Sequence, residues 1–187
     1  MFIDVVTAPE HRYFHPKTMK IFLAGGIQKC IKWQERIIKD FQDAYDIELR
    51  TDYKNGLYLL NPRREDWIEK PGAADRQIEW EFDMIERCDV FTMYFAGGES
   101  DQPICMYELG RNIERMKQRF PKSWKDRIII TCDNSYRRVK DVITQTMLAT
   151  DGLINVNVID GAEDSVHFHY KKIKEKLNYI YPDEQYE

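Results

Sequence analysis

The stretch DVFTMYFAGGESDQPICMYELG, running from Asp89 to Gly110, decides the fold. Val90-Phe91-Thr92-Met93-Tyr94-Phe95 has the length and apolar, aromatic content of a buried strand. Ala96 to Gln102 carries Gly97 and Gly98 followed by polar residues, which reads as a loop. Pro103 suits the first turn of a helix, where a missing N–H is tolerated, and Leu109, Ile113, Met116 and Phe120 then recur at helical spacing over a helix from about Gln102 to Arg119. A strand, a loop and a helix in that order place Glu108 at the carboxyl edge of a sheet. That edge is where open α/β folds keep their chemistry, so Glu108 is the first candidate for a catalytic group.

Working outward, the same strand-helix unit repeats from Lys20 onward, the pattern of helices packed around a parallel sheet. Ile21-Phe22-Leu23-Ala24 reads as the first core strand, and Gly25-Gly26 turns the chain into a helix whose stripe is Ile31, Ile37, Ile38 and Phe41. Leu57 to Leu60 is a second strand that ends in the loop Asn61-Pro62-Arg63-Arg64. A helix over Asp75–Arg87 is assigned the apolar face Ile78, Phe82 and Ile85, which leaves Glu81 on another side, facing a cleft. Arg127 to Thr131 and Val156 to Ile159 are further strands. A helix between Tyr136 and Thr146 separates them, and the last helix, Asp164 to Tyr181, buries Val166, Tyr170, Ile173, Leu177 and Ile180. Phe2 to Val6 is a candidate extra edge strand in an amino-terminal extension, residues 1–18.

With 187 residues, 43% of them hydrophobic, the chain fits one domain with its own core. The net charge of -4 arises from interspersed acidic and basic residues, with no basic tract to track a phosphate backbone, so duplex nucleic acid is not an expected partner. Cys30, Cys88, Cys105 and Cys132 are scattered without a CxxC pair, and the amino terminus has no cationic segment followed by an apolar run. Reduced thiols in a cytoplasm are the expectation. No apolar stretch approaches the roughly 20 residues needed to span a bilayer. His167 and His169 are two apart, which on a helix points the rings apart, and neither they nor His11 and His15 join a Cys or carboxylate cluster. No metal and no cofactor are expected.

Several pieces in register resemble the nucleoside 2-deoxyribosyltransferase-like family: IFLAGGI at Ile21 to Ile27, Trp33-Gln34, LNPRREDW at Leu60 to Trp67, QIEWE at Gln77 to Glu81, Cys88-Asp89, and PICMYELG at Pro103 to Gly110. The resemblance covers about Lys20 to Arg119. It implies a flavodoxin-like three-layer sandwich with a five-stranded parallel sheet of order 2-1-3-4-5, a homo-oligomer, and exchange of the base of a 2'-deoxyribonucleoside through a covalent glycosyl-enzyme. The family's nucleophile is the Glu of an ELG motif, which falls on Glu108. Its second acid lies eight residues before the aspartate that opens the third strand, which falls on Glu81, a Glu where Asp is more usual. In two places the chain departs from the pattern. The tyrosine that orients the nucleophile falls on Phe22, and the sugar-binding aspartate falls on Gln102, with Asp101 one place away.

Independently of the resemblance, the chemistry calls for two carboxyl groups. Breaking an N-glycosidic bond passes through a cation-like sugar, so one carboxylate attacks the anomeric carbon while an acid neutralises the departing base. A retaining pair in glycoside hydrolases stands about 5 Å apart, and a bulky base allows more. Glu108 is expected ionised, helped by the positive end of its helix, and Glu81 is expected to have a raised pKa beside Trp80. Gly25 and Gly26 are candidates for close backbone approach to a sugar hydroxyl or a 5'-phosphate. Asn61 is placed to bond a base edge, Arg63 to bind a phosphate or clamp Glu81, and Trp80 or Trp33 to stack on a base. Arg63 and Arg64 have Glu65 and Asp66 as alternative partners. Gln77 and Asp101 complete the candidate substrate-binding set.

The leading expectation is therefore an enzyme that cleaves or exchanges the N-glycosidic bond of a 2'-deoxynucleoside or its 5'-monophosphate. The rivals are a nucleotide-sensing module of the same fold and a NAD glycohydrolase. Tyr179, Tyr181 and Tyr186 in the tail are candidates for a subunit contact.

Overall fold

Three strands are buried at every residue: Gly56–Asn61, Val90–Phe95 and Ile128–Asp133. Strands covered on both faces belong to a parallel sheet with helices on either side, and that is what the structure, a computed structural model describing residues 2–44, 55–64 and 71–180, contains. The strands are β1 (Phe2–Thr7), β2 (Thr18–Gly25), β3 (Gly56–Asn61), β4 (Val90–Phe95), β5 (Ile128–Asp133) and β6 (Asn157–Ile159). The helices are α1 (Trp33–Asp43), α2 (Ala73–Arg87), α3 (Pro103–Arg119), α4 (Val139–Ala149) and α5 (Ala162–Leu177). All strand pairs are parallel, in the order β1-β3-β2-β4-β5-β6. Without β1 this is the expected 2-1-3-4-5 order. The amino-terminal extension supplies the sixth strand, with Phe2 opposite Gly56 and Thr7 opposite Asn61.

Alternation along the strands divides the core into two layers. Phe22, Ala24, Leu60, Phe91 and Met93 meet Trp80 and Met84 of α2, Leu109 and Ile113 of α3, and Val142 of α4. Ile21, Leu23, Leu59 and Tyr94 meet Trp33 and Ile37 of α1 and Val166, Tyr170 and Ile173 of α5 on the opposite face. The stripes expected for α3 and α5 are buried as assigned.

Helix α2 corrects its assigned face. Ile78 and Phe82 are 63% and 54% exposed, and the side against the sheet is Ala73, Gln77, Trp80, Met84 and Ile85. The positions 73, 77, 80 and 84 form one stripe at helical spacing, and the large Trp80 and Met84 side chains fill the layer that Ile78 and Phe82 were expected to fill. The rotation puts Glu81 at the seam between the buried stripe and the exposed apolar face. In the α1 region, Ile31 lies before the helix and is 44% exposed.

Asp89 fixes where β4 begins. Its backbone N–H donates to Lys20 O at 2.8 Å, its Oδ2 accepts from Lys20 N at 2.9 Å, and the Lys20 ammonium reaches the same oxygen at 2.6 Å. The register that follows puts Phe91 opposite Phe22, their rings stacked at 6.3 Å. Replacing Phe91 by Ala empties the centre of this layer, and urea denaturation should show a loss of about 3–5 kcal/mol. A loss under about 1 kcal/mol would mean the layer closes over the gap.

Candidate active site

Strand β2 pairs with β3 on one side and β4 on the other. The connection leaving β2 runs over one face of the sheet through α1, and the connection leaving β3 runs over the other through α2. A crevice opens at the carboxyl ends of the strands where the crossovers part. It holds a cavity of about 360 Å³ lined by Phe22, Ala24, Gly25, Gly26, Ile27, Gln28, Pro62, Glu81, Ser100, Gln102, Pro103, Ile104, Cys105 and Glu108. Glu81 from α2 and Glu108 from α3 are its two carboxyl groups.

Burial pushes the Glu108 carboxyl up to about 8, with the negative charge of Glu81 adding to the rise and Arg111 opposing it. Burial also raises Glu81, while the Gln77 amide and the charge of Arg64 pull it back. Gln77 Nε2 donates to Glu81 Oε1 at 2.6 Å and to Pro62 O at 2.8 Å, and Gln77 Oε1 accepts from Arg64 Nε at 2.6 Å. The raised Glu81 is as expected, but the ionised Glu108 is not. Glu108 is the sixth residue of α3, past the first turn in which a helix dipole acts. Phe22 beside the cavity has no hydroxyl to bond its carboxylate. In the free cavity burial and the neighbouring Glu81 therefore favour the protonated form of Glu108 at neutral pH.

The glycines line the cavity for steric reasons. Gly25 has φ +151°, and a Cβ there would fall 2.3 Å from Tyr94 O. A Cβ on Gly26 would fall 2.5 Å from both Cys30 Sγ and Gln102 Oε1.

Six candidate binding residues do not line the cavity. Arg63 is buried and its guanidinium is turned onto the loop after β2: Nε donates to Gln34 Oε1 at 2.9 Å, and one terminal nitrogen donates to the carbonyls of Ile31 at 2.9 Å, Ile27 at 3.1 Å and Gly26 at 3.3 Å. It shapes the cavity wall instead of meeting a phosphate or Glu81. Asn61 is closed on Arg63, its amide donating to Arg63 O and accepting from Arg63 N, each at 3.0 Å. Trp80 is fully buried, with Nε1 donating to Glu10 O at 2.6 Å, and Trp33 is buried against Tyr94 with Nε1 on Gly26 O at 3.1 Å. Asp101 pairs with Arg137 outside the cavity. Gln77 supports Glu81 from behind. Glu65, Asp66, Trp67, Tyr181 and Tyr186 lie outside the described residues.

Sequence reasoning missed Ser100, Ile104 and Cys105 as lining residues, and it placed Gln102 only as a departure from a pattern. Gln102 is 4% exposed and has φ +46°, a left-handed conformation that costs a non-glycine residue about 1–3 kcal/mol. Pro103 bars the right-handed region to the residue before it. Tyr136 Oη donating to Asp101 O at 2.6 Å and Gln102 Nε2 donating to Ala96 O at 2.8 Å hold the turn. The only signals in sequence were that proline and the neighbouring loop.

The family model described as nucleoside 2-deoxyribosyltransferase like matches residues 18–120, over half of the chain. No curated relative matches the chain.

Because folding raises the Glu108 carboxyl from an ordinary value of 4.5 to about 8, it favours the protonated form. The stability this contributes is complete below the unfolded value and is lost as pH rises through the folded value. Thermal unfolding of wild type and Glu108→Gln from about pH 5 to about pH 9 should show the variant gaining on wild type as pH rises. Parallel curves would mean Glu108 titrates at an ordinary value.

Proposed function

Because the chain belongs to the nucleoside 2-deoxyribosyltransferase-like family, we propose that it cleaves or exchanges the N-glycosidic bond of a 2'-deoxynucleoside or its 5'-monophosphate, through a covalent glycosyl intermediate on Glu108. The observation that carries this reading is the convergence of Glu81 and Glu108, from two helices, on one desolvated cavity at the switch point of the sheet.

In the first step a Glu108 carboxylate oxygen forms a bond to C1', the C1'–N bond breaks, and its electron pair leaves with the base. The proton that Glu108 gives up as it becomes the nucleophile passes to Glu81, and Glu81 delivers it to the base nitrogen, so nucleophile and acid together spend one proton. In the second step water or another base attacks C1'. Glu108 departs as a carboxylate, and Glu81 takes the acceptor's proton. Hydrolysis and transfer differ only in which acceptor reaches C1' first. The singly protonated pair is the competent form, because losing the last proton removes the acid and gaining a second removes the nucleophile.

The exposed apolar side chains Ile78, Phe82, Ile104 and Tyr107 stand beside the two carboxylates on α2 and α3, and Arg111 lies over the Phe82 ring at 4.2 Å. Exposed apolar side chains on the two helices that supply the carboxyl groups suit a second subunit, and we assign the expected homo-oligomer contact to this face.

Incubation with each 2'-deoxynucleoside and deoxynucleotide, with and without a free base, should release or exchange the base. Quenched protein should carry the mass of one deoxyribosyl group, absent in Glu108→Ala. The plot of kcat/KM against pH should be bell-shaped, with the basic limb near the value of about 8 to which Glu108 is pushed, and Glu81→Gln should lose that limb and about 10²–10⁴-fold of rate. Binding without product over hours would favour a sensing module, and release of nicotinamide from NAD would favour a glycohydrolase of that class. Phe82→Glu should shift the light-scattering mass to that of one chain, and an unchanged mass would remove the assigned face.

A further inference from the structure

A second cavity, of about 320 Å³, opens where β5 and β6 end, and it shares no lining residue with the one that holds Glu81 and Glu108. It stands outside the proposed reaction. Its charged lining side chains are Asp133 and Asp160, and no cationic side chain is among the described lining residues.

Asp133 is the last residue of β5 and is 2% exposed. Its Oδ1 accepts from Ser135 N at 2.8 Å and from Ser135 Oγ at 2.6 Å. Gly97 packs against that spent oxygen so closely that a Cβ would fall 2.0 Å from Ser135 Oγ and 3.1 Å from Asp133 Oδ1. Among the described residues nothing donates to Oδ2. This oxygen is not sealed in protein, and because Asp133 is a lining residue and otherwise buried, the surface it keeps is cavity surface. A carboxylate removed from water without a counter-charge is costly, and a cation that reaches it recovers the cost.

The surroundings decide which cation. With one free oxygen, Asp133 cannot take the two-point fork of a guanidinium. No group of three His, Cys, Asp or Glu side chains able to hold a metal stands among the described residues. An ammonium, a compact charge with several N–H donors, suits a single carboxylate oxygen, and Asp160 adds a second carboxylate, its Oδ1 accepting from Asn134 Nδ2 at 2.6 Å. The lining also includes Ala162 at the start of α5, where the N-cap Gly161 has no side chain to serve the first N–H groups of the helix. These donors call for an acceptor on the same ligand.

We infer that this cavity is a binding site for a small primary amine that carries an oxygen acceptor close to its ammonium group, the ammonium on Asp133 Oδ2 and Asp160 and the acceptor on the first N–H groups of α5. Amino acids and amino alcohols share this chemistry.

The test titrates the isotope-labelled full chain with glycine and ethanolamine, with glycine betaine and choline, which keep the charge but lack N–H donors, and with ethylene glycol, which lacks the charge as well. Glycine or ethanolamine should move the amide signals of Gly97, Ser135 and Ala162 saturably and bind at least about tenfold tighter than its trimethylated counterpart, a difference of about 1.4 kcal/mol. Ethylene glycol should leave the signals in place. Tighter glycine assigns the acceptor to a carboxylate and tighter ethanolamine to a hydroxyl, and either sustains the site. Asp133→Asn should lose about tenfold in affinity, and if that variant fails to fold, Asp160→Asn, at an exposed position, carries the test with a several-fold loss. Glu108→Gln should bind the amine as wild type does. No saturable shift, equal binding of the trimethylated compounds, or undiminished affinity in the aspartate variants would overturn the site and leave the proposed reaction standing. Loss of binding in Glu108→Gln would place the amine in the other cavity and overturn it too.

Discussion

Everything at the carboxyl edge of this molecule depends on one constraint, the parallel pairing of β2 with both β3 and β4. A parallel neighbour needs a crossover, and right-handed crossovers that run in opposite directions across the sheet, β2 to β3 and then β3 to β4, must lie on opposite faces. The chain cannot cover the gap between them with backbone. Gly25 sits at that gap, where β4 approaches so closely that a Cβ would strike the Tyr94 carbonyl. The helices flanking the gap, α2 and α3, can then direct side chains into it while their own apolar stripes stay on the sheet. Asp89, tied to Lys20 at the far end of the same strand pair, keeps the register that makes this placement reproducible.

The second layer of organisation is the use of polar side chains to shape the cavity without entering it. Arg63 gathers the carbonyls of the loop after β2, Asn61 closes the turn that presents Arg63, and Gln77 passes the influence of Arg64 to Glu81 through an amide. Each satisfies buried groups that would otherwise be costly. Among the described lining residues the two carboxyl groups are then the only charged side chains, so the cavity's acidity arises from where the cations go as much as from where the acids are.

Much of the fold was legible because the core strands are short apolar runs bounded by glycine, proline or polar loops, and because α3 and α5 carry unbroken apolar stripes. Helix α2 was misread because it carries two apolar stripes. Periodicity does not say which of Ile78-Phe82 and Trp80-Met84 meets the sheet, and the larger volume of the second pair settles it in three dimensions. In the site, the meeting of Glu81 and Glu108 at one cavity was legible from motif and topology. The roles of Asn61, Arg63 and Trp80 were not, since a residue type near a sheet edge reveals its chemistry but not its direction. Arg63 looks like an anion binder in sequence and becomes a carbonyl clamp only once the loop from Gly26 to Ile31 folds over it.

The state of Glu108 shows how one missing hydroxyl changes the demands on the rest of the site. With Phe22 in place of a tyrosine, the Glu108 carboxylate has burial and the charge of Glu81 against it and only Arg111 in its favour. A carboxyl so held is protonated until something cationic arrives, and in the proposed reaction that is the sugar itself, whose positive charge develops at C1' as the base departs. The carboxylate is then stabilised in the transition state more than in the free protein, which is the condition for binding energy to appear as rate. On this argument the desolvation that makes Glu108 a poor anion at rest is what makes it selective for a substrate able to generate an oxocarbenium-like centre within its reach.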